Sequence, residues 1–145
     1  MRSVTGTRTV PCSPEAAFAA LADFSRCQEW DPGVAHAERL DNGPIAVGSR
    51  FMVHARFLGQ TISMQYQVLV HEAPARLVLV GRADRSTATD RLTFRAVPEG
   101  TEITWRLELQ MHGISKLSEP LLGPALNHLA TSAMDGLASW SELHQ

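Results

Sequence analysis

Residues 123–143, which read GPALNHLATSAMDGLASWSEL, decide how the rest of the chain must fold. At about 100° per residue, this stretch predicts one amphipathic helix, the longest that the sequence offers. Its apolar stripe consists of Ala125, Leu126, Leu129, Ala133, Gly136, Leu137, Trp140 and Leu143. Polar residues lie opposite the stripe, namely Asn127, Thr131, Asp135 and Glu142. The apolar stripe must be covered by another layer of the protein.

The covering layer is predicted to be an antiparallel β-sheet. Between residues 50 and 109, apolar side chains alternate with polar ones, as in strands with one face on a core. Further strands are predicted at residues 3–10 and 34–40. A curved sheet that grips a helix leaves a space between the two layers. The sequence therefore predicts a cavity beneath the long helix, whose start either follows a short turn or kinks near Pro124.

Two short helices are predicted between the first two strands. Ser13 fits the N-cap of the first helix, Pro14 fits its first position, and Glu15 favours the positive end of its dipole. Asp23 or Ser25 can cap the second helix, which is predicted to end at residue 29.

The composition is that of an ordinary globular protein, because 44% of the 145 residues are hydrophobic and 19% are charged. A net charge of −2 without a basic cluster argues against a nucleic-acid partner. No signal peptide and no membrane-spanning run are visible, so a cytoplasmic location is predicted. Cys12 and Cys27 are isolated and are expected to be reduced. The sequence leaves open whether the protein forms a homodimer.

The sequence lacks the motifs of nucleotide-binding loops, serine hydrolases and zinc proteases. The six histidines also lack the spacing of metal ligands; they are His36, His54, His71, His112, His128 and His144. His54 and His71 fall on the polar phase of their strands and are expected to face solvent. We therefore predict neither a metal nor a cofactor.

Four short sequence marks occur in order along the chain. They are Ser13-Pro14-Glu15 followed by Ala17-Phe18, Trp30-Asp31-Pro32-Gly33, Val47-Gly48-Ser49, and Gly100-Thr101. They accompany the predicted order of one strand, two short helices, six strands and a long helix. With this order and these marks, the chain resembles the START-like, helix-grip (SRPBCC) superfamily, and within it the polyketide cyclase/dehydrase and lipid-transport group.

The resemblance implies an α+β fold, in which a seven-stranded curved antiparallel sheet surrounds a long C-terminal helix and two short helices follow the first strand. It also implies a single START-like domain over residues 1–145. The cavities of this superfamily take lipids, sterols, polyketides or plant-hormone-like molecules, and a minority of members carry out cyclisation or dehydration there. Because the superfamily shares few functional residues, the resemblance supplies no catalytic set.

Asp90 and Tyr66 are the candidate catalytic residues. Asp90 shares the inward phase of Leu92 and Phe94, where an unpaired carboxylate is costly, so it could orient a ligand or act as a general acid or base. Alternatively, it lies at the cavity mouth, solvated or paired with Arg82 or Arg91. Tyr66 could offer its hydroxyl to a ligand, or be a core tyrosine whose tip reaches water or a backbone group.

Most of the expected ligand-binding residues face inward on the strands or on the long helix. Trp30, which follows the second short helix, is added to them. They are Trp30, Phe51, Val53, Phe57, Met64, Tyr66, Leu79, Asp90, Phe94, Trp105, Leu107, Leu126, Leu129, Ala133 and Met134. The inward phase does not tell which of them line the cavity and which are plain core. Gly81 and Gly136 either leave room for a ligand or let two backbones approach.

Three functions remain open at this point. The first is a protein that binds or transports a hydrophobic small molecule, such as a lipid or a polyketide. The second is a polyketide cyclase/dehydratase-like enzyme that acts in the same cavity. The third is a regulatory module with a filled core and no ligand.

Overall fold

The structure is a computed structural model that describes residues 2–113 and 119–143. Its strands are β1 (Arg2–Val10), β2 (Val34–Arg39), β3 (Arg50–Phe57), β4 (Gln60–Glu72), β5 (Arg76–Arg82), β6 (Ser86–Val97) and β7 (Gly100–Met111). Its helices are α1 (Pro14–Ala22), a 3₁₀ helix (Phe24–Glu29) and α2 (Glu119–Leu143). The strands form one antiparallel sheet in the order β1-β7-β6-β5-β4-β3-β2, which confirms the predicted helix-grip fold.

The first strand attaches α2 to the sheet. β1 pairs with β7 at the sheet edge, and Arg8 of β1 donates hydrogen bonds from Nε and Nη2 to Oδ1 of Asp135, at 3.1 and 3.0 Å. Gly6 leaves space for the Met134 side chain, because a Cβ on Gly6 would stand 2.3 Å from the Met134 sulfur. Consequently, α2 crosses the inner face of the sheet with its buried side against β1.

The two short helices begin where the sequence predicts. The Ser13 hydroxyl accepts a hydrogen bond from the Ala16 N–H at 3.2 Å, which is the expected N-cap of α1. Asp23, and not Ser25, caps the second helix, since its carboxylate accepts a hydrogen bond from the Ser25 N–H at 3.3 Å. This second helix has 3₁₀ geometry and leads into the loop that begins at Trp30.

A bulge in β4 changes which side chains face inward. Val68 pairs with Leu79, but Val70 pairs with Val78, so Leu69 is an extra residue and the phase reverses after it. His71 therefore lies against α1, with its ring 5.0 Å from the Phe18 ring in an edge-to-face contact. The expectation that His71 faces solvent holds only in part, since the side chain is half-buried. The reason is that period two holds only along an unbulged strand.

The long helix is continuous from Glu119 to Leu143 and includes Pro124 within its second turn. It therefore begins four residues before the predicted start at residue 123. Along it, Leu126, Ala130, Ala133, Met134, Leu137 and Trp140 are buried. In the described part of the chain, no helix combines the length and the apolar character needed to cross a membrane. His144, which is one of the six histidines considered above, lies outside the described residues.

The core is densest at the end of the sheet that α1 covers. Phe18 of α1 packs against Phe94 of β6 with the ring centroids 5.2 Å apart, and Val10, Val68 and Leu77 are fully buried nearby in the same apolar cluster. At the other end, beyond Phe24 of the 3₁₀ helix, the inward side chains face α2 across an open space.

Candidate functional site

The candidate site is a cavity between the sheet and the N-terminal half of α2. Inward-facing residues of four strands line the cavity. They are Val53, Ala55 and Phe57 of β3, Ile62, Met64 and Tyr66 of β4, Ser86, Ala88 and Asp90 of β6, and Trp105, Leu107, Leu109 and Met111 of β7. Helix α2 contributes Leu126, Leu129, Ala130 and Ala133, and the segment between α1 and β2 contributes Phe24, Asp31, Gly33 and Val34. The wall is therefore apolar with a few polar groups, as is typical of small-molecule sites.

The cavity is narrow in this conformation. All the empty space between its walls, including the part that opens to solvent, amounts to about 800 Å³, but the centre of a water molecule can occupy only about 80 Å³ of it. Ligand cavities in proteins usually measure roughly 300–1,000 Å³. The volume of about 80 Å³ decides what fits without movement of the protein. A ligand larger than a few water molecules therefore requires the wall side chains to move outward.

Asp90 of β6 is buried inside the cavity wall and is only 2% exposed. Its Oδ1 accepts a hydrogen bond from Nε1 of Trp105 at 2.8 Å. Burial, with a smaller contribution from the nearby Asp31, raises the pKa of Asp90 to about 7 against the opposing hydrogen bonds from Trp105 and Tyr66. The alternative that Asp90 lies solvated at the cavity mouth, or pairs with Arg82 or Arg91, was wrong. Asp90 is buried, whereas Arg82 is exposed and Arg91 pairs with Glu108 on the outer face.

Asp31 is a second carboxyl group in the same cavity. Its Oδ1 accepts a hydrogen bond from the Gly33 N–H at 2.8 Å, which closes an Asx turn and orients the side chain. Burial raises the pKa of Asp31 to about 6, and the Gly33 N–H opposes the shift. In the sequence, Asp31 stands out only as part of the mark Trp30-Asp31-Pro32-Gly33, and this pattern does not tell which way the side chain points.

The loop that carries Asp31 is held between β3 and α2. The Arg56 N–H of β3 donates a hydrogen bond to the Gly33 carbonyl at 2.7 Å. On the other side, Gly136 of α2 approaches the Trp30 carbonyl so closely that a Cβ on Gly136 would stand 1.8 Å from that oxygen. Gly136 is therefore small because two backbones meet there, which settles the alternative for this residue.

Tyr66 of β4 completes the polar end of the cavity. Burial raises its pKa well above the ordinary value, and Asp90, which interacts with the hydroxyl by hydrogen bonding, contributes to the shift. The tyrosine ring lies over Gly81 of β5, where a Cβ would stand 2.5 Å from the ring. The Tyr66 hydroxyl thus faces a carboxyl group, and not water or a backbone group as the alternative expected.

Ten of the fifteen residues expected to bind a ligand lie in the cavity wall. They are Val53, Phe57, Met64, Tyr66, Asp90, Trp105, Leu107, Leu126, Leu129 and Ala133. Whether they touch a ligand stays a prediction. The other wall residues were not predicted to lie in the site. Some of them could have been found, because they share the inward phase or the short-helix region with predicted residues. These are Phe24, Ala55, Ile62, Ala88 and Leu109.

The remaining five predicted residues pack around the wall without forming it. Phe51 lies against Phe24 with ring centroids 6.3 Å apart, and Trp30 meets Trp105 edge-on at 5.6 Å. Phe94 faces α1, Leu79 is fully buried on β5, and Met134 packs on β1. These residues are inward-facing, as predicted, but other side chains stand between them and the open space.

A shallow groove adjoins the cavity on its outer side. It is lined by Pro32, Gly33, Arg56, Phe57, Leu58, Ala125, His128, Leu129 and Ser132. Gly33, Phe57 and Leu129 belong to both the groove and the cavity, so these three residues separate the interior from the outside.

Metal-binding chemistry has no visible support in the described parts of the chain, where no group of three or more His, Cys, Asp or Glu side chains could hold a metal ion. His36 and His54 stack across β2 and β3 with ring centroids 6.0 Å apart, and Nδ1 of His54 lies 2.8 Å from the Ser63 hydroxyl. This pair lies outside the cavity wall.

Comparison with known proteins agrees with this architecture. The chain belongs to the family described as polyketide cyclase / dehydrase and lipid transport, whose model matches residues 1–142. No curated protein sequence matches the chain.

Solved structures of similar fold come from several bacteria. The protein TTHA0849 of Thermus thermophilus has a TM-score of 0.81 at 17% identity, with 99% of each chain covered. The Zhui aromatase/cyclase of Streptomyces sp. R1128 has a TM-score of 0.79 at 13% identity, covering 97% of this chain and 93% of that one. A START superfamily protein of Mycobacterium smegmatis has a TM-score of 0.70 at 17% identity, with 95% and 98% covered. At these identities the likeness shows the shared fold alone.

Proposed function

We propose that the protein binds a hydrophobic small molecule in the cavity between the sheet and α2. The observation that carries this proposal is the cavity itself, whose wall is apolar except for a small group of polar side chains around Asp31, Asp90 and Tyr66. An apolar wall stabilises a ligand by burial, at about 25 cal/mol per Å² before the costs of association are subtracted. The polar group supplies orientation.

The wall is suited to adapt to a ligand that exceeds the present space. Met64 and Met111 are unbranched and have several rotatable bonds, so they fill a cavity without fixing its shape. Leu129 and Phe57 stand at the boundary with the outer groove and are partly exposed. A ligand that enters between them would displace side chains and leave the backbone in place.

The proposal can be tested by filling the cavity from α2. Ala133 is buried in the wall, so Ala133→Leu places three additional carbon atoms in the open space. We expect the wild-type protein to bind the neutral apolar dye N-phenyl-1-naphthylamine, with an increase in dye fluorescence that saturates at one dye per chain. We expect Ala133→Leu to weaken this binding at least tenfold while the folded state persists.

The matched control is Thr131→Leu, which adds the same side chain to the exposed face of the same helix. This variant should bind the dye as the wild type does. If the wild type binds no dye, or if both variants bind equally well, the cavity is not a ligand site, and the third alternative of a regulatory module without ligand gains support.

A second candidate function is a polyketide cyclase/dehydratase-like enzyme that acts in the same cavity. The specific observation in its favour is the pair of carboxyl groups with pKa values of about 6 for Asp31 and about 7 for Asp90. Near neutral pH, an ionised Asp31 could remove a proton beside a carbonyl group, and a protonated Asp90 could donate one to a carbonyl oxygen. The aromatase/cyclase among the proteins of similar fold also supports this alternative.

Two conservative variants separate carrier from enzyme. Asp90→Asn and Tyr66→Phe keep the size of each side chain and remove its acid–base chemistry. If a poly-β-ketone thioester cyclises with loss of water on the wild type, and both variants bind it equally well but convert it at least a hundredfold more slowly, the enzyme function holds. If the substrate binds to all three proteins and is released unchanged, the carrier function holds. For both functions, we propose that residues 1–145 act as one START-like unit in the cytoplasm.

A further inference from the structure

The two carboxyl groups of the cavity are the starting point of a more specific inference about its ligand. Asp31 reaches the wall from the loop after the 3₁₀ helix, and Asp90 reaches it from β6. The hydrogen bonds that they accept from described residues come from the Gly33 N–H, the Trp105 indole N–H and the Tyr66 hydroxyl. All three partners are uncharged, so within residues 2–113 and 119–143 no ion pair neutralises either carboxyl group.

The cavity wall contains acidic side chains without a basic side chain to balance them. Among the described residues of the wall, none is Arg, Lys or His. The basic residues nearest in the fold, Arg56 and His128, line the outer groove and not the cavity. Burial also raises the pKa of the Cys27 thiol, whose neighbours include Asp31 and Asp90, so this group is uncharged at neutral pH. Above about pH 7, where both carboxyl groups are mostly ionised, the interior is therefore a negatively charged, apolar space.

We infer that the cavity selects hydrophobic molecules whose polar end donates hydrogen bonds, a hydroxyl or an ammonium group, and rejects carboxylates of the same size. This inference rests on the proposed function and names the class of its ligand. A donor satisfies a buried carboxylate that otherwise has too few partners, whereas a carboxylate of the ligand meets like charge in a space with little water. A fatty acid is thus a poor ligand, and a phenol, an alcohol or an amine is a good one.

The test uses four naphthalenes that differ only in the polar end: 2-naphthol, 2-(aminomethyl)naphthalene, 2-methoxynaphthalene and 2-naphthoate. Their affinities are measured by displacement of N-phenyl-1-naphthylamine at pH 8, where both carboxyl groups are mostly ionised. We expect 2-naphthol and the ammonium compound to bind about tenfold or more tightly than 2-methoxynaphthalene, as a hydrogen bond to a charged group implies. We expect 2-naphthoate to bind most weakly of the four.

Two variants assign the selectivity to the carboxyl groups. Asp31→Asn and Asp90→Asn each remove one negative charge at constant size, so each should reduce the advantage of the ammonium compound at least threefold and improve the binding of 2-naphthoate. The control is Asp84→Asn, which makes the same change at an exposed turn between β5 and β6. It should leave all four affinities unchanged.

The outcomes separate this inference from the function on which it rests. If 2-naphthoate binds as tightly as 2-naphthol, or if the four compounds bind equally, the cavity binds hydrophobic molecules but the selectivity is wrong. If the selectivity is present but both Asp→Asn variants retain it, the carboxyl groups are not its source and the inference fails. If neither the dye nor any naphthalene binds, the proposed function fails first.

Discussion

At the scale of single residues, Asp90 shows how strongly burial can change a carboxyl group. The Trp105 indole and the Tyr66 hydroxyl both lower the pKa of Asp90, but they do not offset the cost of removing its charge from water, so the net shift is upward to about 7. Two neutral hydrogen bonds are weaker than the loss of hydration of a buried charge. Asp90 is therefore a group whose ionisation opposes folding.

This shift predicts how stability depends on pH. In the unfolded chain, an aspartate titrates near about 3.9, whereas folded Asp90 titrates at about 7. Between these values the folded protein binds more protons than the unfolded chain. The contribution of Asp90 is therefore fully present below about pH 4, and it is lost as the pH rises through 7. Asp31 acts in the same direction up to about pH 6.

Asp90→Asn should remove this pH dependence. The amide keeps an acceptor oxygen for the Trp105 N–H and carries no charge. At pH 8 we therefore expect the variant to be more stable than the wild type, with a free energy of unfolding higher by about 2 kcal/mol or more. The advantage should shrink steadily as the pH falls from 7 to 4, and it should vanish only below about pH 4. Urea denaturation at pH 5, 6, 7 and 8 measures the difference, with Asp84→Asn as the surface control. Parallel pH profiles of wild type and Asp90→Asn would contradict the raised pKa.

At the scale of elements, α2 depends on one glycine to reach its place. Helix propensity alone favours alanine over glycine in the interior of a helix by about 1 kcal/mol. At Gly136, however, a Cβ would stand 1.8 Å from the Trp30 carbonyl oxygen and 3.0 Å from its carbon. Both are backbone atoms, which cannot rotate away as a side chain can. The steric term therefore exceeds the propensity term.

Gly136→Ala should accordingly destabilise the protein, by about 2 kcal/mol or more, because α2 must move away from the loop that carries Asp31. The urea midpoint should fall while the slope of the transition stays constant. Thr131→Ala lies on the exposed face of the same helix. It should raise the free energy of unfolding slightly, by about 0.5 kcal/mol, and so also the urea midpoint. A stabilising effect of Gly136→Ala would show that α2 does not approach the Trp30 carbonyl.

The same element determines where the cavity lies. α1 places Phe18 against Phe94 and fills one end of the sheet, whereas α2 faces the other end with small side chains, Ala130 and Ala133. Small residues on a helix leave room where large ones would fill it. The open space thus lies beneath the N-terminal half of α2, at the end of the sheet away from α1.

At the scale of the whole molecule, Leu129 stands at the boundary between the cavity and the outer groove, and we expect a ligand to enter there. Leu129→Ala should open this boundary, so we expect the association rate of N-phenyl-1-naphthylamine to rise severalfold in stopped-flow fluorescence. The control is Leu107→Ala, which removes the same atoms from the cavity wall away from the groove. It should enlarge the cavity without accelerating entry.

Leu107→Ala is expected to lower stability by about 2–3 kcal/mol, since it removes a buried apolar side chain, and Leu129→Ala is expected to lower it less, because Leu129 is partly exposed. General loosening should therefore favour entry into Leu107→Ala, so faster entry into Leu129→Ala reports on the boundary itself. Equal association rates for Leu129→Ala and Leu107→Ala would mean that the dye enters elsewhere or that general loosening admits it.

The sequence by itself determined the elements and their faces. The apolar residues repeat with a period of 3.6 residues along the long helix and of two residues along the strands. Because this pattern shows both the type of element and its buried face, both were readable from residues 50–143. The Ser13 cap is a local hydrogen bond and was readable for the same reason, whereas the sequence left the cap of the second helix open between Asp23 and Ser25. Ten of the cavity residues were found in this way.

Only the tertiary structure decided what stands opposite each inward side chain. Phe94 and Leu107 have the same phase, but α1 covers the first and the cavity opens at the second. The bulge at Leu69 and the orientation of Asp31 depend on strand pairing and on an Asx turn, which periodicity does not record. The acidic character of the cavity follows from Asp31 and Asp90 meeting across distant parts of the chain. Such a meeting is a property of packing, because sequence spacing fixes a face and not its neighbour.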